Sequence, residues 1–211
     1  MIRAVISDFG GVLTTPLMRS FAAFQDHTGI PPEALGRAMQ AIAERDGAHP
    51  LFELEKGNVT EERFLIELAD ALVPELGHRP KLHGFREIYF DALEPNQPMI
   101  DLMRGLKSDG LRMALLTNNV REWEPLWRSM LPVDEIFELV VDSAFVGMRK
   151  PEPGIYELTL ERIGDVEAGD CLFVDDVLVN VEAARELGMT AVHFASNEQA
   201  IPEIREAVGS R

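Results

Sequence analysis

Four short segments carry the residues able to do chemistry in this chain. Val5-Ile6-Ser7-Asp8-Phe9-Gly10-Gly11-Val12-Leu13 places a carboxylate directly after an apolar run. Leu115-Leu116-Thr117-Asn118-Asn119 supplies a hydroxyl and amides, Arg149-Lys150-Pro151 an ammonium, and Phe173-Val174-Asp175-Asp176 an acidic pair. Each follows an apolar or β-branched run, and ligands of open parallel sheets bind beyond the carboxyl ends of the strands. One nucleophilic carboxylate, one hydroxyl, one cation and one acidic pair, brought to one pocket, form a set suited to holding a phosphoryl group on Mg²⁺.

Each residue alone has an ordinary explanation. An isolated Asp caps turns, Thr and Asn cap helices, and a lone Lys is usually solvated. The neighbours sharpen the reading. Gly10-Gly11 lets the backbone bend and turns N–H groups toward an anion, and aspartate can form a covalent aspartyl-phosphate. Two adjacent acids after Cys171-Leu172-Phe173-Val174 are costly unless a cation neutralises them. Hard oxygen ligands suit Mg²⁺, which takes one or two carboxylates, waters and phosphate oxygens.

The elements that would position these residues alternate from about residue 95 onward. Helical spacing covers 98–108 (Ile100, Met103, Leu106), 120–130, 153–163, 180–187 and 201–208. Strands are predicted over 111–117, 137–142, 170–174 and 190–194. Strands alternating with helices of this length imply βαβ units and a parallel sheet. Residues 16–92 break the rhythm: 18–28, 32–44, 61–72 and roughly 82–93 read as helices with no strand between them. The predicted class is therefore α/β, a Rossmann-like three-layer core over 1–15 and 93–211 with a helical cap over 16–92. Gly209-Ser210-Arg211 is expected to fray.

Taken in order, the four segments resemble the haloacid dehalogenase superfamily, on its phosphatase side with an α-helical cap. The match rests on Asp8-Phe9-Gly10-Gly11-Val12, Thr117-Asn118, Arg149-Lys150-Pro151-Glu152-Pro153, and Asp175-Asp176 with Asn180, and it spans essentially the whole chain. Leu54-Glu55-Lys56-Gly57-Asn58-Val59-Thr60 is similar to a cap turn facing the active site. The resemblance implies Asp8 as nucleophile and Mg²⁺ ligand, the Gly10 carbonyl as a second ligand and Asp176 as a direct one, with Asp175 and Asn180 behind them. It implies that Phe9, Gly10, Thr117, Asn118 and Lys150 contact the phosphoryl group, Thr117 and Lys150 also serving catalysis. Mg²⁺ and Lys150 together would remove the repulsion between an anionic nucleophile and a phosphate dianion.

One position departs from the pattern. Most phosphatases of the family carry a second Asp two residues after the nucleophile, to protonate the leaving oxygen; here that position is Gly10. Losing such assistance forfeits about 10²–10⁴ in rate. Some relatives, including a sugar-1-phosphate phosphatase group, look like Asp-x-Gly-x-Val, so a sugar phosphate is one expected substrate. Esters whose leaving groups need little protonation, such as anomeric, aryl or acyl phosphates, are expected to react best. The rivals are a carbon–halogen hydrolase of the same fold and a weakly active or non-catalytic phosphometabolite-binding module.

Composition narrows the partners. The 211 residues carry a formal charge of −16, with 46% hydrophobic and 27% charged residues. That balance disfavours nucleic acid and anionic membrane, which need clustered Lys and Arg. A small phosphorylated metabolite is the expected partner, and the chain is expected to act as a monomer or homodimer. Cys171 alone forms no intramolecular disulfide and reads as a core residue. No leader-like start or long apolar run is seen, so a cytoplasmic location is expected. His78 and His83 lack zinc spacing, and His27, His49 and His193 are scattered. Asp8-Phe9-Gly10 is similar to the kinase Asp-Phe-Gly, but no Gly-rich loop or His-Arg-Asp precedes it. Trp123 and Trp127, four apart, are expected on one helix, in the core or at a dimer contact. His49, Phe52, Glu53, Glu55 and Lys56 are candidates to reach substrate from the cap.

Overall fold

The computed structural model describes residues 1–82 and 84–209. The remarks above on His83, Ser210 and Arg211 fall outside them. Five strands, β1 (Ala4–Ser7), β2 (Arg112–Thr117), β3 (Leu139–Asp142), β4 (Cys171–Asp175) and β5 (Thr190–His193), form one parallel sheet in the order β3-β2-β1-β4-β5. The run Ala4 to Ser7 is wholly buried, as a central parallel strand covered on both faces must be.

Side chains alternate across the sheet, and each face has its own helical layer. On one face Val5, Leu115, Leu172 and Val174 pack with Met99, Ile100 and Met103 of α7 (Gln97–Ser108) and Ile204 of α13 (Asn197–Val208). On the other, Ile6, Leu116, Val141 and Phe173 pack with Ile155, Tyr156 and Ile163 of α11 (Pro153–Ile163) and Ala184 of α12 (Leu178–Glu186). This is the α/β three-layer architecture expected from the alternating pattern. Cys171 lies buried and free in its strand.

Between β1 and α7 lie α1 (Met18–Thr28), α2 (Pro32–Asp46), α3 (Pro50–Glu55), α4 (Glu61–Ala71), α5 (Val73–Leu76) and α6 (Phe85–Asp91). The chain leaves and re-enters at one place. The Thr15 N–H donates to the Glu94 carbonyl at 2.8 Å, the Glu94 N–H to Thr15 Oγ1 at 3.1 Å, and Asn96 Nδ2 to the Val12 carbonyl at 2.8 Å.

Two local expectations change. Residues 120–130 do not form one helix: a 3₁₀ turn over Arg121–Trp123 gives way to α8 (Glu124–Ser129), whose first turn holds Pro125. Both tryptophans are nonetheless buried, and Trp127 packs against Phe9 with ring centroids 5.3 Å apart. The final helix starts earlier than its apolar spacing suggests, because Ser196 caps it through the Gln199 N–H. Single-turn helices also occur at α9 (Val133–Ile136) and α10 (Ser143–Val146). No helix among the described residues is long and apolar enough to cross a membrane.

Candidate active site

The sheet order reverses beside β1, whose two neighbours are β2 and β4, and the chemistry-bearing residues gather at the carboxyl ends there. Asp8 follows β1 and donates its N–H to the Val174 carbonyl of β4 at 2.9 Å. Thr117 ends β2, Asp175 ends β4, and Asp176 comes next.

Lys150 joins them from the loop after α10. Its Nζ lies 2.7 Å from Asp8 Oδ1 and 2.7 Å from Asp175 Oδ2, and the residue is only 1% exposed. An amide holds that loop in place: Asn118 Nδ2 donates to the Lys150 carbonyl at 3.0 Å, while the Lys150 N–H donates to Asn118 Oδ1 at 2.8 Å. The Asn118 side chain is thereby occupied, so only its backbone is free to meet a ligand. Phe9 is similar, since its ring is buried against Trp127.

Asp175 is fully buried and its oxygens are taken. Oδ1 accepts from the Val177 N–H at 2.8 Å and from Asn180 Nδ2 at 3.0 Å, and Oδ2 accepts from Lys150. Asn180 is held in turn, its carbonyl accepting from Tyr156 Oη at 3.0 Å. Asp176 is less buried and, with Asp8, Gly10, Thr117 and Lys150, lines one large cavity.

Carboxylate oxygens of Asp8, Asp175 and Asp176 lie within 4.8 Å of one another. Three acids against one ammonium leave an uncompensated negative charge in a buried place, which a divalent cation would neutralise. The protein bends its backbone to let the acids meet. Gly11 has φ +77°, and a Cβ there would collide with the Asp176 carboxylate. The donor set, all hard oxygen, fits Mg²⁺.

The crowding appears in the acidities. Burial, opposed by Lys150 and reinforced by Asp175 and Asp176, raises Asp8 to about 8. Burial and Asp175 raise Asp176 to about 6. Burial alone would depress Lys150, but Asp175 and Asp8 outweigh it and hold its ammonium above the ordinary value.

Position 10 tolerates more than position 11. A Cβ on Gly10 would meet only the tip of the Leu17 side chain, at 3.2 Å.

Several contacts at this end left no mark in the sequence. Arg149 Nε pairs with Glu55 Oε2 of α3 at 2.6 Å, and its guanidinium lies 3.9 Å from the Phe52 ring centroid. Ser143 Oγ donates to the Glu55 carbonyl at 2.6 Å and accepts from the Asn119 N–H at 3.0 Å. Phe52 and Glu55 were legible as cap candidates, but nothing in the sequence named Arg149 and Ser143 as their partners. Of the candidates between 49 and 56, Phe52 and Glu55 line the cavity along with Leu51 and Leu54. Glu53 and Lys56 pair with each other at 2.9 Å, and His49 stacks on Phe52.

A family model for haloacid dehalogenase-like hydrolases matches residues 2–188. The chain belongs to that family. It is 30% identical over 194 residues to a phosphatase of Mycobacterium tuberculosis, covering 90% of this chain and 86% of that one. It is 29% identical over 214 residues to acyl-CoA dehydrogenase family member 10 of Mus musculus, a match to 98% of this chain. The chain spans only 19% of that mouse protein's length, and 39% of the bifunctional epoxide hydrolase 2 of Sus scrofa that it also matches. Among solved structures, a haloacid dehalogenase family enzyme of Bacteroides thetaiotaomicron in complex with magnesium and inorganic phosphate superposes with a TM-score of 0.65. That pair is 23% identical, over 91% of this chain and 93% of the other, which establishes the shared fold.

Proposed function

We propose that this hydrolase is a Mg²⁺-dependent phosphatase that cleaves a small phosphate monoester through an aspartyl-phosphate on Asp8. The observation that carries the reading is the Lys150 ammonium, 2.7 Å from both Asp8 and Asp175, beside an Asp176 carboxylate within reach of the same ion. Lys150 fixes Asp8 in orientation and offsets charge as Asp8 Oδ attacks phosphorus and the ester P–O bond breaks, the alcohol leaving with a proton from solvent. Water then hydrolyses the aspartyl-phosphate to inorganic phosphate and free Asp8. Thr117, buried at the end of β2 and lining the cavity, donates its hydroxyl to the phosphoryl oxygens. Backbone N–H groups of Phe9, Gly10 and Asn118 add to that cradle. Asp8, Asp176 and the Gly10 carbonyl would hold Mg²⁺, with Asp175, itself held by Asn180, fixing Lys150 beside them. When bound, the metal supplies positive charge to the phosphoryl oxygens.

In this reading 1–15 and 93–211 form the catalytic core, and 16–92 is a cap. The paired backbone at Thr15 and Glu94 is where the two join. A cap that closes over the carboxyl ends of the strands excludes bulk water and favours a small metabolite. The relative of M. tuberculosis named a phosphatase and the magnesium–phosphate complex of the Bacteroides enzyme support the assignment.

Hydrolysis of p-nitrophenyl phosphate with Mg²⁺ is the test. Asp8→Asn should abolish turnover, by at least about 10³-fold, because a nucleophile cannot be replaced by its amide. Loss on EDTA treatment separates this from carbon–halogen hydrolysis, which needs no metal. Gly10 favours one second reading, a binding module of little activity. No turnover of any ester despite saturable phosphate binding would establish that instead.

A further inference from the structure

The cavity that opens on Asp8 has a volume of about 640 Å³, within the range of sites that enclose a drug-sized ligand. Its chemistry is divided end from end. Asp8, Thr117, Asn118, Lys150 and Asp176 occupy the sheet side. The helices opposite contribute Phe21 of α1, Leu35 and Met39 of α2, and Phe64 and Leu68 of α4, with no polar side chain from those three. From α6, Phe85 and Phe90 face it with Tyr89. Glu55 and Arg149 also line it and are already paired with each other.

We infer that the substrate is an amphiphilic phosphate ester whose leaving group is an apolar chain or ring system lying among these side chains. The inference rests on the phosphatase reading for its phosphoryl end and goes beyond it for the rest of the molecule. A sugar placed here would bury hydroxyls against carbon, and each hydroxyl without a partner is costly. Protein interiors pack tightly, so the part of this cavity walled by apolar side chains is space that an apolar group gains by filling. The correct substrate is thus selected by area removed from water, and a polar ester of equal size is rejected.

A series of n-alkyl phosphates from ethyl to decyl tests this, because their leaving groups have nearly equal basicity and differ only in apolar area. With Mg²⁺ present, kcat/KM should rise about fourfold per methylene until the cavity is full. Hexyl phosphate should exceed glucose 6-phosphate, which has the same number of carbons and also leaves as a primary alcohol, by more than about 100-fold. Met39→Gln, which keeps shape and adds polarity, should flatten the chain-length dependence. A flat series, or glucose 6-phosphate turned over as well as hexyl phosphate, overturns the inference while p-nitrophenyl phosphate turnover keeps the phosphatase reading. If no ester reacts at all, the phosphatase reading falls and calorimetry with alkylphosphonates decides the cavity. Affinity that rises with chain length then supports an apolar tail site, and affinity independent of it refutes one.

Discussion

At position 10 the usual acid is missing, and the surroundings decide how much its return would change. Gly10 has no backbone geometry that excludes a side chain, and a Cβ there meets only the flexible end of Leu17. An aspartate at that position would enter a cavity that already contains Asp8, Asp176 and Lys150. Gly10→Asp is therefore expected to raise hydrolysis of alkyl phosphates at least tenfold, a fraction of the ~10²–10⁴ that general acid catalysis supplies. It should change p-nitrophenyl phosphate little, since that leaving group departs unprotonated. Steady-state rates across esters of graded leaving-group pKa measure the difference. A parallel gain for all esters would mean that the new carboxylate acts on the nucleophile or the metal instead.

Helix α3 meets the core at Ser143 and Arg149, and the contact with Arg149 is a close ion pair. Arg149 and Glu55 are about 15% exposed and 2.6 Å apart, and burial raises the Glu55 carboxyl even with Arg149 beside it. Removing one partner leaves the other charge without a counterpart in a place poor in water. Arg149→Met should thus destabilise the fold more than Arg149→Met combined with Glu55→Gln, with a coupling of about 1–3 kcal/mol in a double-mutant cycle. Urea unfolding of the four proteins gives the number, and additivity would show that the pair contributes nothing. This tether also marks what could be read from the chain. Long helices such as Met18–Thr28 and Pro153–Ile163 announce themselves over three turns of apolar spacing. Pro50–Glu55, Val133–Ile136 and Ser143–Val146 are too short to show a period, so α3 reads as a turn. Asp8, Thr117, Asp175 and Asp176 were legible because each ends a strand or follows one, and Lys150 because it sits in the Arg149-Lys150-Pro151 motif. Arg149 and Ser143 meet Glu55 across 94 and 88 residues, and the apolar wall gathers side chains from separate helices, which no local pattern encodes.

Across the whole molecule, a formal charge of −16 coexists with three clustered acids, two buried and one partly buried, served by one ammonium. A fold that does this without a cation favours protons at the site. Asp8 at about 8 and Asp176 at about 6 bind protons more tightly folded than unfolded, where an Asp titrates near 3.8. The stability they contribute is present in full below that unfolded value. It is lost as pH climbs through 6 and toward 8, because the unfolded chain releases these protons first. A divalent ion reverses the slope, since it binds the ionised acids and competes with the same protons. Without metal, the melting temperature should therefore fall between pH 5 and pH 8 to the extent that these two groups set it. The increment given by saturating Mg²⁺ should grow over the same interval. At a concentration about 100 times Kd the ion contributes roughly 2.7 kcal/mol, worth about 5–10 °C in a chain of this size, and that should be approached at pH 8 and nearly absent at pH 5. Calorimetry at three pH values, with and without Mg²⁺, measures it, using Asp176→Asn as the control that should lose most of the increment. An increment independent of pH, or one retained by Asp176→Asn, would place the ion away from these acids.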